Sequence, residues 1–310
     1  MDRTTLLEHL HLDPADPAVQ AIDRRSAAGN ARVPADWRWL AAAAARVLQP
    51  GPLPAGTQRP WPAWNETPAP LVLGVAGAQG SGKTTLAAQL ERTLAAAGAS
   101  VAACSLDDFY LSRARRNELA AAVHPLLATR GVPGTHDVAH LESVIQALGR
   151  PGTVAVPRFD KAADDPLPPA RWRQVQAPVD VLVLEGWCLG AEPEEPGTLQ
   201  APVNALEAEE DADGHWRRYV NDALAGPYAA LWQRLHGLIF LQVPDLRAVL
   251  RWRTEQEQAL PRTRRMNEAQ LRRFIAHYER VTRAMLTTLP RRAQWVAGLD
   301  DAAPAWRLCG

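Results

Sequence analysis

An α/β architecture, a mostly parallel sheet with helices on both faces, is what the amino-acid sequence predicts, and three observations predict it. The run Gly77-Ala78-Gln79-Gly80-Ser81-Gly82-Lys83-Thr84 completes the pattern G-x-x-x-x-G-K-[ST] between an apolar run and a helical pattern. Short β-branched runs then alternate with segments whose apolar residues recur at helical spacing. Lys83, Asp107, Arg158 and Glu185 each lie just past the end of one of those runs, and since ligands bind beyond the carboxyl ends of strands in a parallel sheet, they are expected to converge on one edge.

Taken in order, residues 1–49 carry helix-like patches, Leu6, Leu7 and Leu10, then Trp37-Arg38-Trp39-Leu40 running into alanines, and read as a helical extension. Residues 50–70 contain seven prolines, a density that excludes regular structure and predicts a linker, with Trp61 and Trp64 pinning it to the domain surface. A single nucleotide-binding domain is expected over 71–310. Residues 71–76 are a short apolar strand, and Leu86, Leu90 and Leu94 mark the helix behind the glycine-rich loop. Strand, loop and helix in that order define a P-loop NTPase fold.

Residues 100–106 read as the next strand, ending at Asp107-Asp108-Phe109-Tyr110. Asp137 can cap a helix with Val138, Leu141, Val144, Ile145 and Leu148 on one face. A strand over 153–156 precedes Pro157-Arg158-Phe159-Asp160-Lys161, and the strand over 179–184 ends at Glu185-Gly186-Trp187. The connection over 189–225 exceeds the usual length and is expected to cover or line the site, its Glu207, Glu209, Glu210, Asp211 and Asp213 forming a solvated face. Residues 238–243 supply another buried strand, and Pro244-Asp245 opens a helix. Asn267 and Gln270 sit at capping-box spacing before a long amphipathic helix ending at Pro290.

Lys and Arg together number 34, as do Asp and Glu, so no net field attracts nucleic acid or an anionic membrane. Cys104, Cys188 and Cys309 are odd in number and lack C-x-x-C spacing, which argues against a disulfide framework or structural zinc. No run is long and apolar enough to span a bilayer. The expectation is a soluble, cytoplasmic protein acting on a small-molecule substrate, with neither nucleic-acid nor membrane partner; oligomeric state is not readable.

The chemistry these residues suggest is phosphoryl transfer from ATP with Mg²⁺. Backbone N–H groups from Gly77 to Thr85 can cradle the phosphates, Lys83 can reach the β- and γ-phosphates, and the Thr84 hydroxyl can ligate the metal. Glu185 can hold the metal directly or through water. Asp107 can accept the proton of a substrate hydroxyl; Asp108 competes for that role, and either can instead cap a helix. Arg253 shares a helix face with Leu246, Val249 and Leu250, so it points inward to a phosphate or to Glu257. Arg262, Arg264 and Arg265 suit a phosphate-closing lid or an exposed loop. Arg130-Gly131-Val132-Pro133-Gly134-Thr135-His136-Asp137 is a rigid turn delivering polar groups, although Asp137 can serve only as the cap. Arg158 and Lys161 near Asp160 suit an acceptor carrying a carboxylate or phosphate, or Lys161 pairs with Asp160 or Asp164.

The loop over 77–84, Ser105-Leu106-Asp107-Asp108-Phe109-Tyr110-Leu111, the Arg130–Asp137 turn, Pro157-Arg158-Phe159-Asp160-Lys161, Glu185-Gly186-Trp187 and Trp252-Arg253-x-x-Gln256-Glu257 occur in one order. In that order they resemble the D-glycerate 3-kinases of plant and fungal type, relatives of uridine kinase, phosphoribulokinase and pantothenate kinase. The resemblance spans roughly residues 70–290. It implies ATP-dependent phosphorylation of a small hydroxylated metabolite, best D-glycerate, with the base on Asp107. It also implies an acceptor side formed by Asp108, Tyr110, His136, Asp137, Arg158, Asp160 and Lys161. The family commonly continues after F-D-K with serine and G-x-G-D-R, whereas this chain reads Ala162-Ala163-Asp164-Asp165-Pro166-Leu167-Pro168. Alternatives are a kinase for a nucleoside or pantothenate-like acceptor, or a nucleotide-hydrolysing switch or metallochaperone. Neither an N-K-x-D guanine-reading motif nor a C-x-x-C metal-delivery motif supports the last.

Overall fold

The computed structural model describes residues 17–27, 35–53, 57, 59–258 and 265–299. Leu6, Leu7, Leu10, Arg262, Arg264 and Cys309 lie outside the described residues. In chain order the elements begin with α1 (Pro17–Ala27), α2 (Ala35–Leu48), β1 (Leu71–Gly77), α3 (Lys83–Ala96), β2 (Val101–Ser105), α4 (Arg113–Ala122) and α5 (Val138–Leu148). Then come β3 (Gly152–Val156), β4 (Phe159–Asp160), β5 (Asp165–Pro166), β6 (Arg173–Ala177) and β7 (Val181–Gly186). The chain continues through α6 (Ala205–Glu210), α7 (His215–Ala223), α8 (Ala229–Trp232), β8 (Gly237–Gln242), α9 (Leu246–Gln258), α10 (Glu268–Thr288) and β9 (Trp295–Gly298).

Five strands form one parallel sheet in the order β2-β7-β1-β8-β9. The strands alternate their side chains between two cores, as a pleated backbone requires. Leu71, Leu73 and Val75 of β1, with Val181, Val183, Ile239 and Leu241, pack on α1, α2 and α3 through Ile22, Leu40, Leu86 and Leu90. Val72, Ala76, Leu182, Leu184, Leu238 and Phe240 pack on α5 and α10 through Leu141, Ile145, Tyr278 and Met285. Burial on both faces is why these strands read as continuous apolar runs. The N-terminal helices therefore share the core of the sheet. Arg59 closes the end of α2 by donating to Gln49 O at 2.9 Å, and buried Trp61 lies against Trp295 with ring centroids 4.4 Å apart.

Three expectations are corrected. The strand read over 153–156 is β3, which pairs antiparallel with β6 in a separate two-stranded sheet. The fifth central strand is instead β9, whose Trp-Val-Ala-Gly sequence is too short to carry a periodic signal. The connection over 189–225 does not line the site cavity described below; it packs on α10. Two of its acidic residues are not solvated: Glu207 and Asp211 are buried, held by Arg280 at 2.7 Å and by Arg217 at 2.9 Å. A helical segment rich in carboxylates looks solvated until its arginines are placed, Arg280 from distant α10 and Arg217 from the adjoining α7. Among the described residues no helix is long and apolar enough to cross a membrane.

Removing one partner of a buried ion pair strands the other charge. Glu207→Ala is expected to cost about 3–5 kcal/mol of stability, seen as a lower urea midpoint. An unchanged midpoint would show that Glu194 and the Thr198 and Ala201 carbonyls compensate Arg280 fully.

Candidate active site

β1 ends at Gly77, and the loop that follows returns into α3 at Lys83. Gly80 and Gly82 both have φ of 84°, a left-handed conformation that glycine adopts at least cost. A β-carbon at Gly77 would lie 2.6 Å from Ser81 Oγ and 2.9 Å from Leu241 Cβ, so only glycine lets the loop pack this closely on β8. Gly82 faces Trp37 of α2, whose ring would be 3.1 Å from an added β-carbon. The result is a concave run of N–H groups at a helix N-terminus, suited to an anion.

Glu185 is one residue before the end of β7, in register with Val75 of β1 and Ser105 of β2. Thr84 Oγ1 donates to its Oε1 at 2.9 Å, while Oε2 is buried with no hydrogen-bond partner. An orphaned carboxylate oxygen beside a threonine hydroxyl is a partial oxygen ligand set. No group of three His, Cys, Asp or Glu side chains suited to a metal occurs among the described residues. Magnesium fits such a site when phosphates and water complete its shell.

Asp107 lies just past β2, in the single helical turn Leu106–Phe109, on the strand next to β7. Its Oδ1 accepts from the Tyr110 hydroxyl at 2.7 Å and its Oδ2 from Lys161 Nζ at 2.6 Å. Burial works to raise the pKa of this carboxyl, but Lys161 and Lys83 outweigh it and hold it at about 2. Asp107 is therefore an ionised acceptor throughout the neutral range. The Tyr110 ring stacks on His136 at 4.8 Å, and His136 Nδ1 meets the Tyr228 hydroxyl at 2.6 Å. Since Gly134 N–H donates to that hydroxyl, the tyrosine proton is available for Nδ1. Burial lowers the His136 pKa to about 4, so its ring is neutral.

These elements enclose a cavity of about 590 Å³. One end is formed by Gln79, Gly80, Gly82, Lys83, Thr84 and Thr85, and the other by Asp107, Tyr110, Arg116, Arg130, Lys161 and Asp164. A second groove, between α6, α9 and α10, contains none of the phosphate-loop residues and is remote from this chemistry. Arg253 lines the site cavity, but its guanidinium is held by Glu257 at 2.7 Å and Gln256 at 3.0 Å, the ion pair rather than a free cation.

Several residues expected at the acceptor side stand behind the wall rather than on it. Asp137 caps α5, accepting from His140 N at 3.0 Å. Arg158 follows β3, outside the central sheet, so the strand-end rule does not bring it to the common edge; it sits 3.5 Å from Asp108 and is largely exposed. Asp108 accepts the Phe159 N–H at 3.2 Å, and burial raises its pKa against that bond. Asp160 accepts from the Ala162 and Ala163 amides at 2.9 and 3.1 Å, shaping the turn that presents Lys161. Lys161 pairs with Asp107 rather than with Asp160 or Asp164. Arg116, Arg130 and Asp164 also line the cavity. Arg130 opens the glycine- and proline-punctuated turn read above as delivering polar groups, and Asp164 is read there only as a partner for Lys161. Arg116 carries no such signal beyond being an arginine on a short polar helix, where it is the buried residue of α4.

A P-loop cradle, a threonine hydroxyl against a buried glutamate and a part-buried carboxylate past an adjacent strand define a phosphoryl-transfer protein of the P-loop class. Residues 72–191 match the Phosphoribulokinase / Uridine kinase family. The chain is 34% identical over 220 residues to the "Uncharacterized kinase mug58" of Schizosaccharomyces pombe, covering 67% of this chain and 78% of that protein. It is 29% identical over 232 residues to the chloroplastic D-glycerate 3-kinase of Arabidopsis thaliana, covering 71% of this chain and 48% of that protein. The structure of D-glycerate 3-kinase from Cryptococcus neoformans superposes with a TM-score of 0.66 at 24% identity, covering 90% of this chain and 99% of that one, and shares the fold. This chain belongs to the phosphoribulokinase/uridine kinase family, and it is a kinase.

The low pKa of Asp107 depends on Lys161, and this is testable directly. In Lys161→Met the carboxyl pKa is expected to rise above about 2, followed by side-chain carbon shifts in an NMR pH titration. A titration identical to wild type would mean that Lys161 does not hold the charge.

Proposed function

We propose that this kinase transfers the γ-phosphate of ATP to a hydroxyl of a small metabolite, D-glycerate being the best candidate. The observation that carries the reading is Asp107: a part-buried, ionised carboxylate held by Tyr110 and Lys161 in the same cavity as Lys83 and Thr84. A switch that only hydrolyses nucleotide has no use for a cationic acceptor end. The plant relative whose name is D-glycerate 3-kinase supports the choice of acceptor. In this reading residues 71–310 form the kinase domain, 50–70 the linker, and the helices within 1–49 brace the phosphate loop.

The loop amides and Lys83 bind and orient the β- and γ-phosphates, and the first turn of α3 adds its N–H dipoles. Thr84 and Glu185 would hold magnesium, which would supply positive charge against the phosphates. Asp107 accepts a hydrogen bond from the acceptor hydroxyl and aims its oxygen at the γ-phosphorus. The new O–P bond forms as the bond to the ADP oxygen breaks, and ADP leaves with that electron pair. A carboxyl with a pKa of about 2 is a poor base for removing an alcohol proton early. Asp107 therefore acts chiefly by alignment, and takes the proton only late, once bonding to phosphorus has made the acceptor O–H strongly acidic, as a loose phosphoryl-transfer transition state permits.

Two outcomes are expected in a coupled ADP-release assay with acceptor present. Lys83→Ala loses turnover, and retained turnover would refute the donor site. Asp107→Asn lowers kcat about 10²–10⁴-fold with ATP binding retained; if Asp108→Asn shows that loss instead, the two carboxylates exchange roles. In wild type, kcat/KM is expected to show no acid limb from Asp107 above about pH 3. Acceptor-independent hydrolysis stimulated by a protein would exclude the kinase reading in favour of a switch.

A further inference from the structure

We infer that Arg130, fixed by Asp164, is the residue that selects an acceptor carrying a carboxylate; the inference rests on the phosphoryl-transfer reading above. Arg130 is held from both ends. Its carbonyl accepts the Tyr278 hydroxyl at 2.9 Å, and at the next residue, Gly131, φ is 121° and a β-carbon would overlap that hydroxyl. Its guanidinium bonds the Asp164 carboxylate and donates to Lys161 O at 3.3 Å. The same group lies over the rings of Tyr110 and Phe159, 6.0 and 5.6 Å from their centroids.

Asp164 is the positioning group. It has φ of 60°, a conformation that a non-glycine residue holds only when its surroundings demand it. Those surroundings are Arg116, which is 1% exposed and has every nitrogen engaged by protein. Its Nε donates to Leu111 O at 3.1 Å, its Nη1 to Ala128 O at 2.7 Å, and its Nη2 to Asp164 O at 3.0 Å, with the Asp164 carboxylate at 2.8 Å. Arg116 is thus an anchor for Asp164 and has nothing left for a ligand. Arg113 meets Asp164 from the solvent side at 3.5 Å.

Charge then decides what the acceptor end lacks. Three cations line it, Arg116, Arg130 and Lys161, against two carboxylates, Asp107 and Asp164, and Arg113 adds a further cation at Asp164 from the solvent side, so the acceptor end carries net positive charge. A carboxylate on the acceptor reduces that charge; a neutral polyol leaves it uncompensated. Tyr110 touches both groups, its hydroxyl on Asp107 and its face under Arg130. An acceptor that reaches both carries a hydroxyl and a carboxylate on one small molecule, which describes a hydroxy acid. A planar fork binds a carboxylate in a way an ammonium cannot reproduce.

The test compares wild type, Arg130→Gln and Arg130→Lys on D-glycerate, other short hydroxy acids and the neutral counterpart glycerol, with folding checked by thermal melting. Wild type is expected to prefer an acid. Arg130→Gln raises the KM for that acid about 10- to 100-fold, with a smaller effect on kcat and none on the KM for ATP, so that the acid-over-glycerol preference collapses. Arg130→Lys recovers part of it. A wild-type enzyme indifferent between acid and polyol overturns the inference. So does a preference that survives in Arg130→Gln, while the kinase reading stands. Preference for a hydroxy acid other than D-glycerate, lost in Arg130→Gln, refutes glycerate as acceptor and supports the inference. If no acceptor turns over, ligand-observed NMR with ADP present reads the same subsite: acid binding that depends on Arg130 supports the inference, and its absence overturns it.

Discussion

A charge drawn largely out of water at the carboxyl edge of the sheet is the constraint on which the site depends. A carboxylate removed from water is costly unless cations and hydrogen-bond donors reach it. Asp107 meets that condition with Lys161, Lys83 and the Tyr110 hydroxyl, and stays ionised at a pKa of about 2. Each of these partners comes from a different part of the chain. Lys83 opens α3, Lys161 sits in the turn after β4, and Tyr110 is held by its stack on His136. Compensating one part-buried charge thus pulls together the nucleotide end and the acceptor end of the cavity.

The rest of the molecule keeps those segments where the compensation works. Trp187 Nε1 donates to Gly131 O at 2.8 Å, tying the end of β7 to the turn that carries Arg130. Leu111 N donates to Thr135 O at 2.9 Å and Asp137 N to Phe109 O at 2.7 Å, which fasten that turn to the helical turn of Asp107. On the opposite face, α1 and α2 share the core beneath the phosphate loop, and Trp37 closes against Gly82. The connection between β7 and β8 contributes elsewhere, through ion pairs with Arg280 and Arg217 that fasten it to itself and to α10. Few of these contacts touch the cavity, yet they set the positions of the groups that do.

Much of this was legible because it is local. The phosphate loop is eight consecutive residues whose glycines dictate the backbone, and β1, β2, β7 and β8 are apolar runs that only a two-sided core explains. Lys83, Thr84, Glu185 and Asp107 followed from the strand-end rule, and the structure places them together. The same rule failed for Arg158, because it presumes that the preceding strand joins the central sheet. β3 pairs with β6 instead, and nothing in a strand's own periodicity names its neighbour.

What the sequence determined by itself was therefore the kind of machine: a phosphate cradle at a strand end, an acidic residue on a neighbouring strand, and an α/β sheet to hold them. Tertiary structure alone decided which charges meet. Lys161 pairs with Asp107 and Asp164 with Arg116 and Arg130, whereas His136, Asp137 and Asp160 brace the wall from behind. The physical reason is that a pairing depends on distance in space between segments tens of residues apart. Composition and spacing report only which charges are present.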